Sequence, residues 1–317
     1  MYEPAPEEIV WNLLRGALGT QALAIACRLG VPDSLSEGPR PVAELARHAE
    51  VDEGALHRLL RALASDGVFE EKPHGVFRHT PASELLGRGR GWSDFARLFG
   101  SVWYRTVGDL DLSGEPTFPR TFGTDFWSWL AAHPEERAAF DRAMEEGKVR
   151  RAERLAPLEW RGDETVVDVG GGNGSLLIEL LRKQPGLRGI VFDRPETVRD
   201  EAALGDRIEF VEGDFFASVP EGDVHVLSGI LHDWDDERAT AILRTVRAAA
   251  GDDGRLLIID SVLPEGNDPD GAKWLDLLML ALLGGKERSE AEWRALLEAG
   301  GFDSVRFHEV LIEASPA

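Results

Sequence analysis

Apolar residues recur at helical spacing near the start of the chain. Ile9, Leu13, Leu14, Ala17, Leu18, Ala22, Ile25 and Leu29 predict one long helix over 7–30, ended by Gly30-Val31-Pro32. Its polar face is thin, so its surplus apolar surface is expected to pack within its own domain or on a partner subunit. Short helices at 41–46 and 52–63 follow. Then comes a hairpin with arms at 68–70 and 76–80, turning at Lys72-Pro73-His74-Gly75. Helix, helix and hairpin together predict a winged helix. The stretch 92–158 reads as helical and rich in aromatics. After Arg161-Gly162-Asp163 the pattern alternates between strand and helix. Strands are predicted at 165–169, 189–192, 208–212, 225–228, 255–260 and near 305–311, with helices between them that include 236–250 and 289–299. Repeated βα units predict an α/β fold with a parallel, doubly wound sheet, which binds ligands at the carboxyl ends of its strands.

Charge and composition narrow the function. The net charge is −22 and the pI about 4.8, which disfavours a nucleic-acid partner. The winged helix is no exception. From Glu37 to Thr80 there are eight acids against six Arg or Lys, with Glu50, Asp52 and Glu53 where a recognition helix would begin. A pairing and substrate-lid module suits it better than a DNA-binding one. Cys27, alone of its type, excludes an internal disulfide and sits in an apolar run that suits a structural thiol. Met1 leads into acids and prolines rather than a basic and apolar leader, and the run Trp274–Leu283 is short and carries Asp276. These features predict a cytoplasmic protein with no membrane partner. Arginine outnumbers lysine about six to one, a composition expected of a high-GC bacterium.

The most informative stretch is Val166-Val167-Asp168-Val169-Gly170-Gly171-Gly172-Asn173-Gly174-Ser175. A buried strand breaks on glycines and enters a helix, so the backbone can approach a ligand beside unpaired N–H groups. The dinucleotide pattern G-x-G-x-x-G fails in both registers, on Ser175 from Gly170 and on Leu177 from Gly172. A phosphate loop would need Lys and Ser/Thr after Gly174, and that sequence is missing. Asp168 would repel a pyrophosphate but suits an ammonium group. These features point to S-adenosylmethionine.

Other strand ends agree. Asp193 closes the second strand, where a carboxylate accepts from ribose hydroxyls. The third leads into Gly213-Asp214-Phe215-Phe216, an acid for an adenine amino group beside an aromatic cover. Ser228 ends the fourth. His232-Asp233-Trp234 follows on the same edge, and a histidine there can take a proton from a hydroxyl. Asp260, at the next strand end, can brace it. No second His or Cys stands at metal-ligand spacing, so no metal is expected.

With these motifs, the chain resembles the S-adenosylmethionine-dependent O-methyltransferases that include plant caffeate and flavonoid enzymes and bacterial polyketide enzymes. The resemblance also rests on Leu231-His232-Asp233-Trp234 and Gly284-Gly285-Lys286-Glu287-Arg288. It implies a Rossmann-like catalytic domain behind an N-terminal helical, winged-helix dimerisation domain. The expected divisions are 1–95 for dimerisation, 96–158 for a helical connector lining the substrate cavity and 159–317 for catalysis. It implies that Asp168, Gly170, Gly171 and Gly172 hold the methionine end of S-adenosylmethionine. Asp193 would then hold the ribose, and Asp214 with Phe215 the adenine, while Ser228 stands where plant members carry a lysine. His232 matches the general base, Glu287 one brace, and Asp260 a second, where plant members have glutamate. Phe140, Met144, Asp233 and Met279 match the acceptor pocket. The implied reaction methylates a phenolic hydroxyl of an aromatic small molecule and leaves S-adenosylhomocysteine, in a homodimer. An alternative is a relative that uses the same cofactor for hydroxylation or decarboxylation, against which His232 argues.

Overall fold

The computed structural model describes residues 5–73, 75–195, 205–308 and 311–317, with only the backbone of 148–150. The chain begins with helices α1 (Pro6–Arg28), α2 (Val31–Ser34), α3 (Val42–Ala49) and α4 (Glu53–Ser65). Strand β1 (Arg40–Pro41) precedes α3, and the hairpin β2 (Phe69–Lys72) and β3 (Val76–His79) follows α4. Helices α5 (Pro81–Glu84), α6 (Gly91–Phe99), α7 (Val102–Gly108), α8 (Phe118–Phe122), α9 (Phe126–Ala132), α10 (Pro134–Glu145) and α11 (Lys148–Leu155) come next.

The chain divides into two compact units, residues 1–108 with 133–146, and residues 109–132 with 147–317. In the first, α3, α4 and the antiparallel order β1-β3-β2 form the winged helix. Asp52 caps α4, its carboxylate accepting from the Ala55 N–H at 2.8 Å. Leu45, Leu56, Leu60, Phe69 and Phe77 close the core beneath. Helix α6 lies along α1 because Gly100 has no side chain; a Cβ there would stand 2.2 Å from that of Ala24. It is tied to α10 by Arg142, which donates to both oxygens of buried Asp94 at 2.7 and 2.9 Å. Helix α1 leaves Ile9, Val10, Trp11, Leu13, Leu14 and Leu18 between 50% and 72% exposed. It is also long and apolar enough to cross a membrane by length and composition, which the run 274–283 is not. Burial pushes the Cys27 thiol up to about 11, the state of an unreactive thiol.

The second unit is the predicted α/β fold. Its strands are β4 (Thr165–Val169), β5 (Arg188–Asp193), β6 (Ile208–Glu212), β7 (Val224–Ser228), β8 (Arg255–Ile259), β9 (Val262–Leu263), β10 (Arg288–Ser289), β11 (Arg306–His308) and β12 (Leu311–Ala314). Helices α12 (Ser175–Lys183), α13 (Asp236–Ala250), α14 (Ala272–Leu282) and α15 (Glu290–Gly300) lie between them. The main sheet runs β11-β12-β8-β7-β4-β5-β6, parallel from β8 through β6. Side chains alternate between its faces. Val167, Leu227 and Ile258 enter the core under α13 and α15, while Val166, Val226 and Leu257 enter the core under α12.

Two details depart from the sequence reading. The single last strand near 305–311 is instead an antiparallel hairpin, β11 with β12, with 309–310 outside the described residues. Apolar residues recur through the hairpin, at Val305, Phe307, Leu311, Ile312 and Ala314, so the reversal is not marked by a long polar break in the pattern. The two-residue pairs β1–β3 and β9–β10 are too short to carry any periodicity.

The chain winds outward from β4 in both directions, through β5 and β6 on one side and β7 and β8 on the other. The crevice where the order reverses therefore lies between the ends of β4 and β7, beside Val169 and Leu227.

Candidate active site

At this switch point lies Asp168, the last residue but one of β4 and only 2% exposed. The glycine turn folds back over β5, where the N–H groups of Gly170 and Gly171 donate to the Phe192 carbonyl at 2.8 and 3.3 Å. A Cβ on Gly170 would stand 2.4 Å from Cδ1 of Ile230, and one on Gly171 2.8 Å from the Asp168 carboxyl. Those positions admit no side chain. The Gly172 N–H donates to Oδ2 of Asp193 at 2.7 Å, so the second strand's acid is locked to the turn. The hydroxyl of Ser175, at the start of α12, is buried without a hydrogen-bond partner among the described residues.

The Asp193 carbonyl in turn accepts from the Gly213 N–H at 3.1 Å, and Oδ1 of Asp214 accepts from the Phe216 N–H at 2.9 Å. Phe215 packs on the core, its carbonyl accepting from the Thr245 hydroxyl at 2.7 Å, while Phe216 is 37% exposed beside Trp234. Acids at three successive strand ends, a glycine turn and neighbouring aromatics fit the ammonium, ribose and adenine of S-adenosylmethionine.

His232 lies in a 3-10 turn, Leu231–Asp233, just beyond β7. Its Nδ1 is 2.7 Å from Oε1 of Glu287, and its Nε2 is 3.5 Å from Oδ1 of Asp233. Glu287 is 2% exposed, and its N–H donates to Oδ1 of Asp276 on α14 at 2.8 Å. Asp260 is 5% exposed, and among the described residues neither carboxylate oxygen has a hydrogen-bond partner. Its charge raises the pKa of His232.

Two residues of the Gly-Gly-Lys-Glu-Arg run bring His232 and Glu287 together. A Cβ on Gly285 would stand 2.1 Å from the His232 carbonyl oxygen, so only glycine permits that approach. Arg288, fully buried, donates to the carbonyls of Leu231 at 2.9 Å and Trp234 at 2.8 Å and to Oδ1 of Asp236 at 2.9 Å.

Burial acts to lower the pKa of His232, but the charge of Asp260, the hydrogen bond to Glu287 and the charge of Asp233 outweigh it and hold it at about 10. Burial pushes Asp233 up to about 7 and Asp260 up to about 6, with the His232 charge opposing in each case.

The second unit thus brings together Asp168, Gly170, Gly171, Gly172 and Asp193, and separately His232, Asp233 and Glu287. Ser228 links to a residue that the sequence reading missed. Arg151 on α11 donates from Nη1 to its Oγ at 3.1 Å. One arginine among many in a helical stretch carries no sequence signal. Met279 is buried on α14, its carbonyl accepting from the N–H groups of Leu283 and Gly284. Phe140 and Met144 lie on α10 of the first unit and are half-buried.

Residues 104–303 match the O-methyltransferase domain family, and 11–89 match the O-methyltransferase dimerisation domain. The chain belongs to this family and is an S-adenosylmethionine-dependent O-methyltransferase. It is 41% identical to the phenazine O-methyltransferase PhzM of Lysobacter antibioticus, over 93% of this chain and 90% of that one. The crystal structure of LaPhzM superposes with a TM-score of 0.90 at 39% identity, covering 99% of this chain and 100% of the other. NcsB1, from neocarzinostatin biosynthesis, was solved with S-adenosylmethionine and 2-hydroxy-5-methyl naphthoic acid. It matches with a TM-score of 0.76 at 34% identity, over 94% and 96% of the two chains. The non-methylating alternative finds no support among these relatives.

Proposed function

We propose that this enzyme methylates a phenolic hydroxyl of an aromatic small molecule in bacterial secondary metabolism, with His232 as general base. The observation that carries this is the 2.7 Å contact between His232 and Glu287 at the switch-point edge. With Nδ1–H donated to Glu287, the Nε2 lone pair is left for the acceptor hydroxyl. S-adenosylmethionine supplies an electrophilic methyl group. The protein's part is to align the acceptor and remove its proton.

The carboxylates around His232 raise its pKa well above the ordinary imidazole value, to about 10, which makes it a stronger proton acceptor. In the free protein the raised pKa favours a second proton, on Nε2, and that proton must leave before the lone pair can act as a base. A positive charge brought nearby favours the loss. Asp193, steadied by the Gly172 N–H, holds the ribose, Asp168 with Gly170, Gly171 and Gly172 the methionine end, and Asp214 with Phe215 the adenine. Met279 and Asp233 shape the acceptor side, and Phe140 and Met144 carry the same expectation from the first unit.

The aromatic acceptors named for PhzM and NcsB1, a phenazine and a hydroxynaphthoic acid, support this substrate class. The dimerisation-domain match spans most of α1, whose exposed apolar face supports a cytoplasmic homodimer rather than a bilayer anchor. Residues 1–95 would serve pairing, 96–158 the acceptor and 159–317 catalysis. A screen of hydroxylated aromatics with S-adenosylmethionine, read as a mass gain of one methyl group, tests the reading. Methylation of phenols by the wild type and its collapse in His232→Ala are expected. A panel methylated equally by both proteins would overturn the base assignment.

A further inference from the structure

We propose that Arg151 is a carboxylate-recognition residue of the methyl-transfer site. Ser228 Oγ, a neutral hydroxyl 3.1 Å from Nη1, is its side-chain hydrogen-bond partner among the described residues. A guanidinium has five N–H donors in a planar fork that matches a carboxylate, and here one of them is engaged. No ion pair joins Arg151 to a protein carboxylate among the described residues. Asp260 and Asp168 act on it through their charge at longer range, against the loss of solvent that disfavours its charged form.

Its position is also informative. A Cβ on Gly229 would stand 3.6 Å from Nη1 of Arg151 and 3.7 Å from Nε2 of His232. Guanidinium and imidazole therefore flank one backbone position just past β7. A cation there, withdrawn from water and bonded to one neutral oxygen, is poised to pair with an anionic ligand. The carboxylate has two possible sources, the methionine end of the methyl donor or an acid group on the acceptor ring. The inference rests on the reading above that methyl transfer takes place at this edge.

Calorimetry on the full-length enzyme separates the sources. Wild type, Arg151→Gln and Arg151→Lys are titrated with S-adenosylhomocysteine and with its decarboxylated analogue, 5′-(3-aminopropyl)thioadenosine. The same proteins are titrated with 2-hydroxy-1-naphthoate and its methyl ester. Arg151→Gln is expected to weaken the carboxylate-bearing member of one pair by about tenfold or more and to leave its carboxylate-free partner within about twofold. The pair affected names the source. Arg151→Lys, which keeps the charge but not the fork, should lose less, and it carries the test if the glutamine variant does not fold. The proposal falls if neither carboxylate ligand weakens, or if both members of a pair weaken alike. These readouts do not involve His232, so a failed base assignment would leave them standing, and the converse holds.

Discussion

Nδ1 of His232 and Oε1 of Glu287 are 2.7 Å apart, although their positions in the chain differ by 55 residues. The contact engages Nδ1 and leaves Nε2 as the nitrogen not bonded to Glu287, and it is one of the influences that hold the imidazole pKa high. Glu287→Gln keeps the shape and removes the charge. It should lower kcat by at least about tenfold and move the His232 titration downward, with S-adenosylhomocysteine affinity unchanged. Histidine NMR titration and steady-state kinetics read both. An unmoved titration would mean that Glu287 does not act on the base.

His232→Ala should reduce turnover by at least about a hundredfold at neutral pH while donor affinity holds. The deficit should shrink at high pH, because a phenol with pKa near about 10 increasingly ionises unaided. A purely structural histidine would instead lose donor binding and stability together, with no recovery at high pH.

The buried charges also make stability depend on pH in a defined direction. The pKa of His232 is raised, against burial, to about 10, so its charged form stabilises the fold fully below about 6.5 and that contribution is lost as pH rises towards 10. Asp233 and Asp260 are raised by burial to about 7 and about 6, so the fold favours their neutral forms, an advantage that fades as pH climbs through those values. Both effects predict falling stability from weakly acid to alkaline pH. Melting temperature followed from pH 7 to 10 should decline more steeply in wild type than in His232→Asn. Parallel curves would remove His232 from the balance.

Arg288 is fully buried and holds the carbonyls of Leu231 and Trp234, on either side of His232 in the chain. Arg288→Met removes a donor from both carbonyls and from Asp236. A loss of about 2–4 kcal/mol is expected, with a fall in kcat larger than any change in donor affinity. Chemical denaturation measures the first and kinetics the second. A variant as stable as wild type would show that the clamp is dispensable.

Asp193 accepts from the Gly172 N–H at 2.7 Å and so is positioned before any ribose arrives. Asp193→Ala should weaken S-adenosylmethionine by about ten- to hundredfold. Calorimetry that finds equal affinity would take the residue out of the pocket.

Local pattern was enough to read the strands β4 to β8, the glycine turn, and the acids and histidine that end those strands. A period of two and a glycine break are properties of adjacent residues, and a parallel sheet carries every strand end to one edge. The resemblance extended that reading to Glu287 and the acceptor wall. What it could not supply were relationships between distant segments. Asp260 could be read as a brace for His232 from its place at a strand end, but not how it acts: among the described residues its carboxylate oxygens have no hydrogen-bond partner, and its charge raises the imidazole pKa. Arg151 and Ser228 are 77 residues apart and meet only because α11 lies over the end of β7. Arg288 is buried rather than solvated because three carbonyls and Asp236 surround its guanidinium, an arrangement that no spacing in the sequence encodes. Local chemistry determined which groups reach the strand edge. Packing between remote elements decided which of them touch, and with that the protonation of His232.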